Sequence, residues 1–369
     1  MLNRIFALIK KEILAVLRDK KSRFVLIIPP MIQLCIFSFA VTLDVKNVPI
    51  GILNRDAGKE GFELVQRFAG SPTFNRIIYL SSVEEITRLV DTQKVLLVLH
   101  IDQQFSRKLE AHQPADIQFI LDGRKSNTAQ IIQGYALRII DQFNRDFAAK
   151  EAIPVQMTAT VVRNWYNPNL LYNWFTVPSL IGLLTMVIGL VVSALTVARE
   201  RELGTFDQLL VSPLQPTEIL IGKTVPAILI GMMEGTLILL VAIFIFQIPL
   251  TGSLWVLYPS LFVFVSSIVG VGMFISSLSM TQQQAILGTS VFMSPAVLLS
   301  GFATPIENMP HWLQLVTYGN PFRYFLVVVK GVFLKEMPAA VVFQETWPMA
   351  VIALFTLTGA GWFFRRRLQ

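Results

Sequence analysis

The stretch RERELGTFDQLLVSPLQPTEILIGK, residues 199–223, decides how this chain is to be folded. Apolar runs at 169–198 and 224–248 flank it, each long enough to cross a bilayer, which takes about 20 mainly apolar residues in a helix. A charged segment interrupted by Pro213 and Pro216 and pinned between two such runs is not a span itself. It lies in water at one membrane face, tethered at both ends. That is the geometry of a lever through which a soluble partner can move the spans.

Composition agrees with a membrane protein. Of 369 residues, 53% are hydrophobic and 15% charged, with mean hydropathy +0.58, whereas a soluble domain carries about 25% charged residues. The net charge of +7 sits beside apolar runs, so it reads as a topology signal and not as a nucleic-acid surface. The one cysteine, Cys35, lies inside an apolar run, which excludes an intrachain disulfide and argues against a thiolate metal site. The first 23 residues carry seven basic side chains and lead to no small-residue cleavage site, so no removable signal peptide is expected.

Six spans are expected: 24–43, 169–198, 224–248, 254–279, 284–304 and 341–364. Pro29 and Pro30 should kink the first or delay its helical start. Between the fifth and sixth, 305–334 is apolar but broken by Pro and Gly. It reads as two short helices, one opened by Pro310 and ended by Gly319, the next capped by Asn320 with Pro321 in its first turn. Neither is long enough to span, which suggests a re-entrant hairpin. The termini and the 199–223 and 279–284 segments then share one side and hold thirteen basic residues, against Arg323, Lys330 and Lys335 opposite. The positive-inside rule makes 1–23 a cytoplasmic interfacial helix and 365–369 a cytoplasmic tail.

That topology puts 44–168 outside. With fifteen basic and fourteen acidic residues it is ordinary globular sequence. Strand patterns at 49–53, 77–80, 95–101, 117–121 and 157–163 alternate with helical spacing at 60–68, 82–90, 103–110 and 127–147, the signature of a small α/β domain with a mixed sheet. His100 and His112 are not spaced as metal ligands, and Asp122-Gly123-Arg124 reads as a strand-ending turn. The expected fold is therefore an α-helical polytopic membrane protein with an inserted α/β extracytoplasmic domain.

Catalytic signatures are missing. Gly222-Lys223-Thr224 ends like a phosphate-binding loop, but the required earlier glycine is Thr217. Lys223 then reads as a plain anchor before a span. There is no zinc-protease motif, nucleophile elbow or Cys/His cluster, so neither a catalytic nor a metal site is expected. Within the central segment, Arg199, Glu200, Arg201 and Glu202 prolong the second span beyond the membrane. After it, Thr205-Phe206-Asp207-Gln208 fits a capping box for a short helix that Pro213 stops. A merely solvated loop has no use for Phe206, Leu209 and Leu210 together; they suit insertion into a partner's groove. In the N-terminal helix Leu2, Ile5, Phe6, Ile9, Ile13, Val16 and Leu17 form an apolar face opposite Arg4, Lys11 and Arg18, suited to a lipid surface and compatible with a second partner contact. Glu234 lies near a span centre, where a charge costs roughly 3 kcal/mol, so it is neutral, paired across helices, or facing a wet path for cargo.

The segment ARERELGTFDQLLVSP at 198–213 resembles the cytoplasmic signature of ABC-2 type permeases, the membrane subunits of ATP-binding-cassette exporters. Ser300-Gly301-Phe302, Pro305, Asn308-Met309-Pro310-His311-Trp312-Leu313 and Asn320-Pro321 resemble that family's re-entrant segment. LDGRKSNTAQ at 121–130 and NWYNPNL at 164–170 resemble its bacterial subgroup with a large periplasmic insert. The resemblance covers essentially the whole chain. It implies a transport subunit of the inner membrane, without cofactor of its own, that depends on a separate ATPase binding ATP and Mg²⁺. It also implies a second permease, copy or paralogue, in a dimer, and often a periplasmic membrane-fusion adaptor. ATPase coupling would fall to Arg199, Glu200, Arg201, Glu202, Gly204, Thr205, Phe206, Asp207, Leu209, Leu210 and Pro213, and the cargo would be amphipathic drugs, lipids or cations. Two other classes compete: a sensor with a ligand-binding ectodomain, and a secondary transporter coupled through Glu234.

Overall fold

The structure, a computed structural model, describes residues 2–18, 20–40, 47–122, 126–151, 167, 171–205 and 214–366. They fall into two compact units, Thr42–Val162 and Met1–Val41 with Arg163–Gln369.

The smaller unit contains β1 (Pro49–Asn54), α3 (Lys59–Ala69), β2 (Arg76–Tyr79), α4 (Val83–Asp91), β3 (Leu97–Ile101), α5 (Phe105–Glu110), β4 (Ile117–Leu121) and α6 (Ser126–Lys150). The sheet order is β2-β1-β3-β4. β1 runs parallel to both β2 and β3, while β4 is antiparallel to β3, which makes the sheet mixed as the alternating pattern required. Strand alternation sorts the core. Ile50, Ile52, Leu97 and Leu99 pack against Leu64 and Phe68 of α3 and Ile132 of α6, while Leu53 and Val98 pack on the other face against Ile86 and Leu89 of α4. Arg67 bridges Glu63 at 2.7 Å and Asp146 at 2.6 Å, and Lys150 reaches Glu63 at 2.7 Å, so α3 and α6 are tied by charge as well. The strand expected at 157–163 lies outside the described residues.

The larger unit is helical. It opens with α1 (Leu2–Arg18) and α2 (Lys20–Ala40) and continues with α7 (Tyr172–Glu202), α8 (Pro216–Phe244), α9 (Leu254–Leu278) and α10 (Gln282–Leu298). A 3₁₀ turn at Ile306–Asn308 leads to α11 (His311–Thr317), α12 (Pro321–Leu334) and α13 (Ala339–Arg366). Among the described residues four helices, α7, α8, α9 and α13, are long and apolar enough to cross a membrane. Of the other two expected spans, α2 carries a shorter apolar helix at Leu26–Ser38, and α10 has 17 residues. α2 differs from expectation: it starts at Lys20 and runs through Pro29 and Pro30 without a delayed start. Proline's fixed φ is itself helical, so the chain can continue through both at the loss of their two amide donors.

α7 is the hub. It is buried along most of its length, whereas α13 leaves most of its apolar surface open. Phe343, Leu354 and Phe355 on α13, Leu287 and Val291 on α10, and Phe244 on α8 are all exposed, an apolar surface of the kind that meets lipid. The paired short helices form as expected. Asn320 Oδ1 accepts the Phe322 amide at 3.1 Å with Pro321 at the first helical position, and Asn320 Nδ2 donates to the Ala296 carbonyl at 2.7 Å, fixing α12 to α10. The loop after α8 holds the far end of α12 through amide bonds from Thr251 to Phe333 O (3.1 Å) and Gly252 to Val332 O (2.8 Å).

Candidate functional site

The four charged residues that end α7 have four different destinations. Arg199 is exposed. Glu200 Oε2 lies 2.7 Å from Lys223 Nζ of α8. Arg201 Nη1 donates to the carbonyls of Ser277 (3.0 Å) and Ser279 (2.8 Å) at the C-terminus of α9, where a cation offsets the helix dipole. Glu202 Oε2 accepts the Gln282 amide at 2.7 Å at the start of α10, where an anion is favoured. Three of these four charges thus tie the end of α7 to three neighbouring helices.

α7 then stops in a Schellman arrangement. The Thr205 amide bonds to Glu200 O at 3.0 Å and the Gly204 amide to Arg201 O at 3.1 Å, with Gly204 at φ +68°, which glycine adopts without the Cβ penalty. The Thr205 hydroxyl donates back to Glu200 O at 3.3 Å. Phe206, Asp207, Gln208, Leu209, Leu210 and Pro213, with the expected short helix, lie outside the described residues. On the far side α8 begins at Pro216, eight residues before the expected span. Gln215 caps it, its amide donating to Glu218 Oε2 at 2.9 Å in a capping box that extends the helix into the charged segment.

Lys223 corrects the reading of a plain anchor. Its side chain is only 1% exposed, and besides Glu200 it faces Glu12 Oε1 of α1 at 3.5 Å and the Thr196 carbonyl of α7 at 3.4 Å. Lys11 Nζ lies 3.6 Å from both Glu12 Oε1 and Glu200 Oε1. Next to it, Leu8 of α1 fills the space over Gly222; a Cβ there would stand 2.3 Å from Leu8 Cδ2. α1 therefore packs on protein through Leu8 and Glu12 while Leu2, Phe6 and Leu17 of its apolar face stay exposed. Glu12 and Lys223 were missed by sequence reasoning. The available signal was an acid within a helix of otherwise basic charge, together with a lysine beside glycine.

Glu234, in α8, is 2% exposed, and its Oε1 has no hydrogen-bond partner among the described residues; the same holds for Thr185 Oγ1 of α7. Thr185 faces α8 at Gly235, where a Cβ would stand 3.1 Å from its Oγ1. An interhelical hydrogen bond is thus not what occupies this carboxylate oxygen. Elsewhere in the unit, an apolar cavity of about 680 Å³ opens between α9, α10, α11 and α13, lined by Phe274, Val291, Phe292, Pro295, Phe355 and Gly359 among others. Two polar side chains at its wall, Asn320 and Thr356, are spent on backbone carbonyls at Ala296 and Ile352.

The model of the family described as ABC-2 family transporter protein matches residues 20–362. The chain belongs to the ABC-2 transporter family. It is 45% identical over 369 residues to "Probable multidrug ABC transporter permease YbhR" of Escherichia coli K12, covering 100% of both chains. It is 30% identical to "Probable multidrug ABC transporter permease YbhS" of the same organism, over 99% of this chain and 97% of that one. A eukaryotic relative, "ABC transporter G family member 20" of Dictyostelium discoideum, is 22% identical over 94% of this chain and 49% of its own length. Within this ABC-2 protein, residues 199–205 and 214–223 frame the segment that the family resemblance assigns to coupling.

Proposed function

We propose that this chain is the permease subunit of an ATP-driven exporter of the bacterial inner membrane, moving amphipathic molecules outward with energy from a separate ATPase. The supporting observation is the frame around 206–213. The end of α7 is tied to α9 and α10 by Arg201 and Glu202 and stops at Gly204, and the start of α8 is closed by its own Gln215–Glu218 capping box. A push delivered to the tethered segment passes directly into α7 and α8. In this reading α2, α7, α8, α9, α10 and α13 make six crossings, both termini and 199–223 are cytoplasmic, the α/β unit is extracytoplasmic, and α11–α12 re-enter the membrane from outside. One chain is too small to enclose a path, so two permeases, copies or paralogues, act together with the ATPase pair; a membrane-fusion adaptor would receive cargo outside. ATP and Mg²⁺ belong to the ATPase.

The amphipathic cargo class is supported by the 680 Å³ apolar cavity, a size within the about 300–1,000 Å³ of small-molecule pockets, and by the printed "multidrug" of two bacterial relatives. The sensor reading is disfavoured by the ectodomain itself. In open α/β sheets a ligand sits beyond the strand ends where the order reverses, here between β1 and β3. There the Asp56 carboxylate is already engaged by the protein, Oδ2 taking the Ser106 hydroxyl at 2.5 Å and the Gly58 amide at 3.2 Å.

The test is capture of the tagged chain from native membranes in mild detergent, with mass spectrometry of what accompanies it. A partner carrying a phosphate-binding loop and an ABC signature is expected. A kinase or cyclase in its place would overturn the export reading in favour of sensing.

A further inference from the structure

A four-charge cluster joins α1, α7 and α8. Lys223 is a fully buried ammonium that touches three elements at once: its own α8, α7 through Glu200 and Thr196 O, and α1 through Glu12. With Lys11 the cluster holds two cations and two carboxylates, so it is neutral. A buried ion pair of this kind adds little net stability over an apolar contact, but it penalises every arrangement that leaves a charge unpaired, and so it fixes register. The notch at Gly222 does the same by shape, since it accepts Leu8 and leaves no room for a displaced backbone. Charge and shape therefore specify one seat for α1 on α8, one residue apart in the sequence of each contact (Gly222 and Lys223), four residues apart on α1 (Leu8 and Glu12).

We infer that Lys223 is a positioning residue that pins α1 to the ends of α7 and α8, so that the three move as one body. α1 is then a strut and not merely a lipid anchor: displacement of the 206–213 segment, which enters through α7 and α8, carries α1 along, and force applied to α1 reaches both helices. The inference rests on the ATP-driven reading for its use, but not for its geometry.

The experiment measures distances between nitroxide labels at Leu2→Cys and Ile221→Cys in a Cys35→Ser background, by pulsed electron resonance on the full chain purified with its captured partners. Samples are compared without nucleotide and after trapping with ATP and vanadate. The parent is expected to give one narrow distribution in both states. Glu12→Gln and Lys223→Met are each expected to broaden or split it; Glu12→Gln leaves the Lys223–Glu200 pair intact and guards against a Lys223→Met chain that fails to fold. A parent distance that changes on trapping, or variants as narrow as the parent, would overturn the pin. If no ATPase accompanies the parent, it is the export reading that fails, and the nucleotide-free comparison still decides the pin.

Discussion

Gly222→Ala is the substitution in which intrinsic helix preference and packing pull hardest in opposite directions. Within an ordinary helix the change stabilises by about 1 kcal/mol, because alanine loses less backbone freedom than glycine. Here the new methyl would meet Leu8 at Cδ2 (2.3 Å), Cγ (2.8 Å) and Cβ (3.1 Å). The first two distances are shorter than real Cβ contacts show, so Leu8 must leave its seat, and overpacking of this kind costs about 1–3 kcal/mol. Leu8 is 7% exposed and Glu12 follows it by one turn, so displacing Leu8 also pulls Glu12 away from Lys223. The net expectation for Gly222→Ala alone is destabilisation of up to about 2 kcal/mol, the difference between those two contributions.

Leu8→Ala removes Cγ and both Cδ atoms, and with them the two closest contacts. It costs about 2–5 kcal/mol by itself as a large-to-small change. In that background only the 3.1 Å approach to the Cβ at position 8 remains, so Gly222→Ala should reverse sign to a gain smaller than the roughly 1 kcal/mol of an open helix site. Thermal unfolding of the purified chain in one detergent, followed by tryptophan fluorescence for the parent, both single variants and the double, reads the cycle directly. A reversal of sign supports the seat. Additive effects, or a Gly222→Ala that stabilises the parent as well, would refute it and with it the packing of α1 on α8.

Leu209→Asp with Leu210→Asp is expected to strip the ATPase from the captured complex while the chain stays in the membrane; unchanged capture and transport would count against docking through 206–213. Gly359→Trp should fill the apolar cavity, because the nearest atoms to a Cβ there are Phe274 Cδ2 and Cε2 at 3.7 and 3.8 Å. Saturable fluorescence of N-phenyl-1-naphthylamine is expected to vanish in this variant, and equal saturable binding in both chains would show that the cavity is not the site. Glu234→Gln keeps the side-chain shape, so insertion and Tm should match the parent, and altered cargo preference would place this carboxylate on the path; a Tm lower by several degrees would make it structural instead. In the α/β unit, hydrogen bonds from Lys150 and then Arg67 hold the Glu63 carboxyl below its ordinary value, and Glu63 raises Lys150. The Glu63 contribution is therefore complete above the unfolded carboxylate value of about 4.3 and fades as pH falls through the lower folded one. The stability advantage of the parent over Glu63→Gln should accordingly shrink below about pH 4, and an advantage independent of pH down to 2 would exclude the ion pair as its source.

Much of this architecture was legible because it depends on local rules. Apolar length located the four helices long enough to span, Asn320-Pro321 marked the start of α12, and β-type runs located the four strands of the sheet. Boundaries failed where local chemistry overrode the simple rule: Gln215 and Glu218 start α8 eight residues early, and α2 runs through two prolines whose fixed φ is helical. The charges at the end of α7 were legible as a group but not in their individual uses. Alternation along a helix sends Glu200, Arg201 and Glu202 to α8, α9 and α10, and which neighbour lies in which direction is a property of the packed bundle.

Lys223 was illegible for a related reason. A basic residue at the start of an apolar run ordinarily marks a membrane face, and that rule reads only its own neighbourhood in sequence. Its partners stand 211 and 23 residues away, at Glu12 and Glu200, so only the pairing of α1 with α8 and of α7 with α8 reveals the burial. A positive charge near the membrane thus has two physical uses, topology and registration. The second is expected where a small residue adjoins the cation and a lone acid interrupts a basic helix. Gly222-Lys223 and Glu12 meet that description, and the same test can be put to any amphipathic N-terminal helix that precedes a first span.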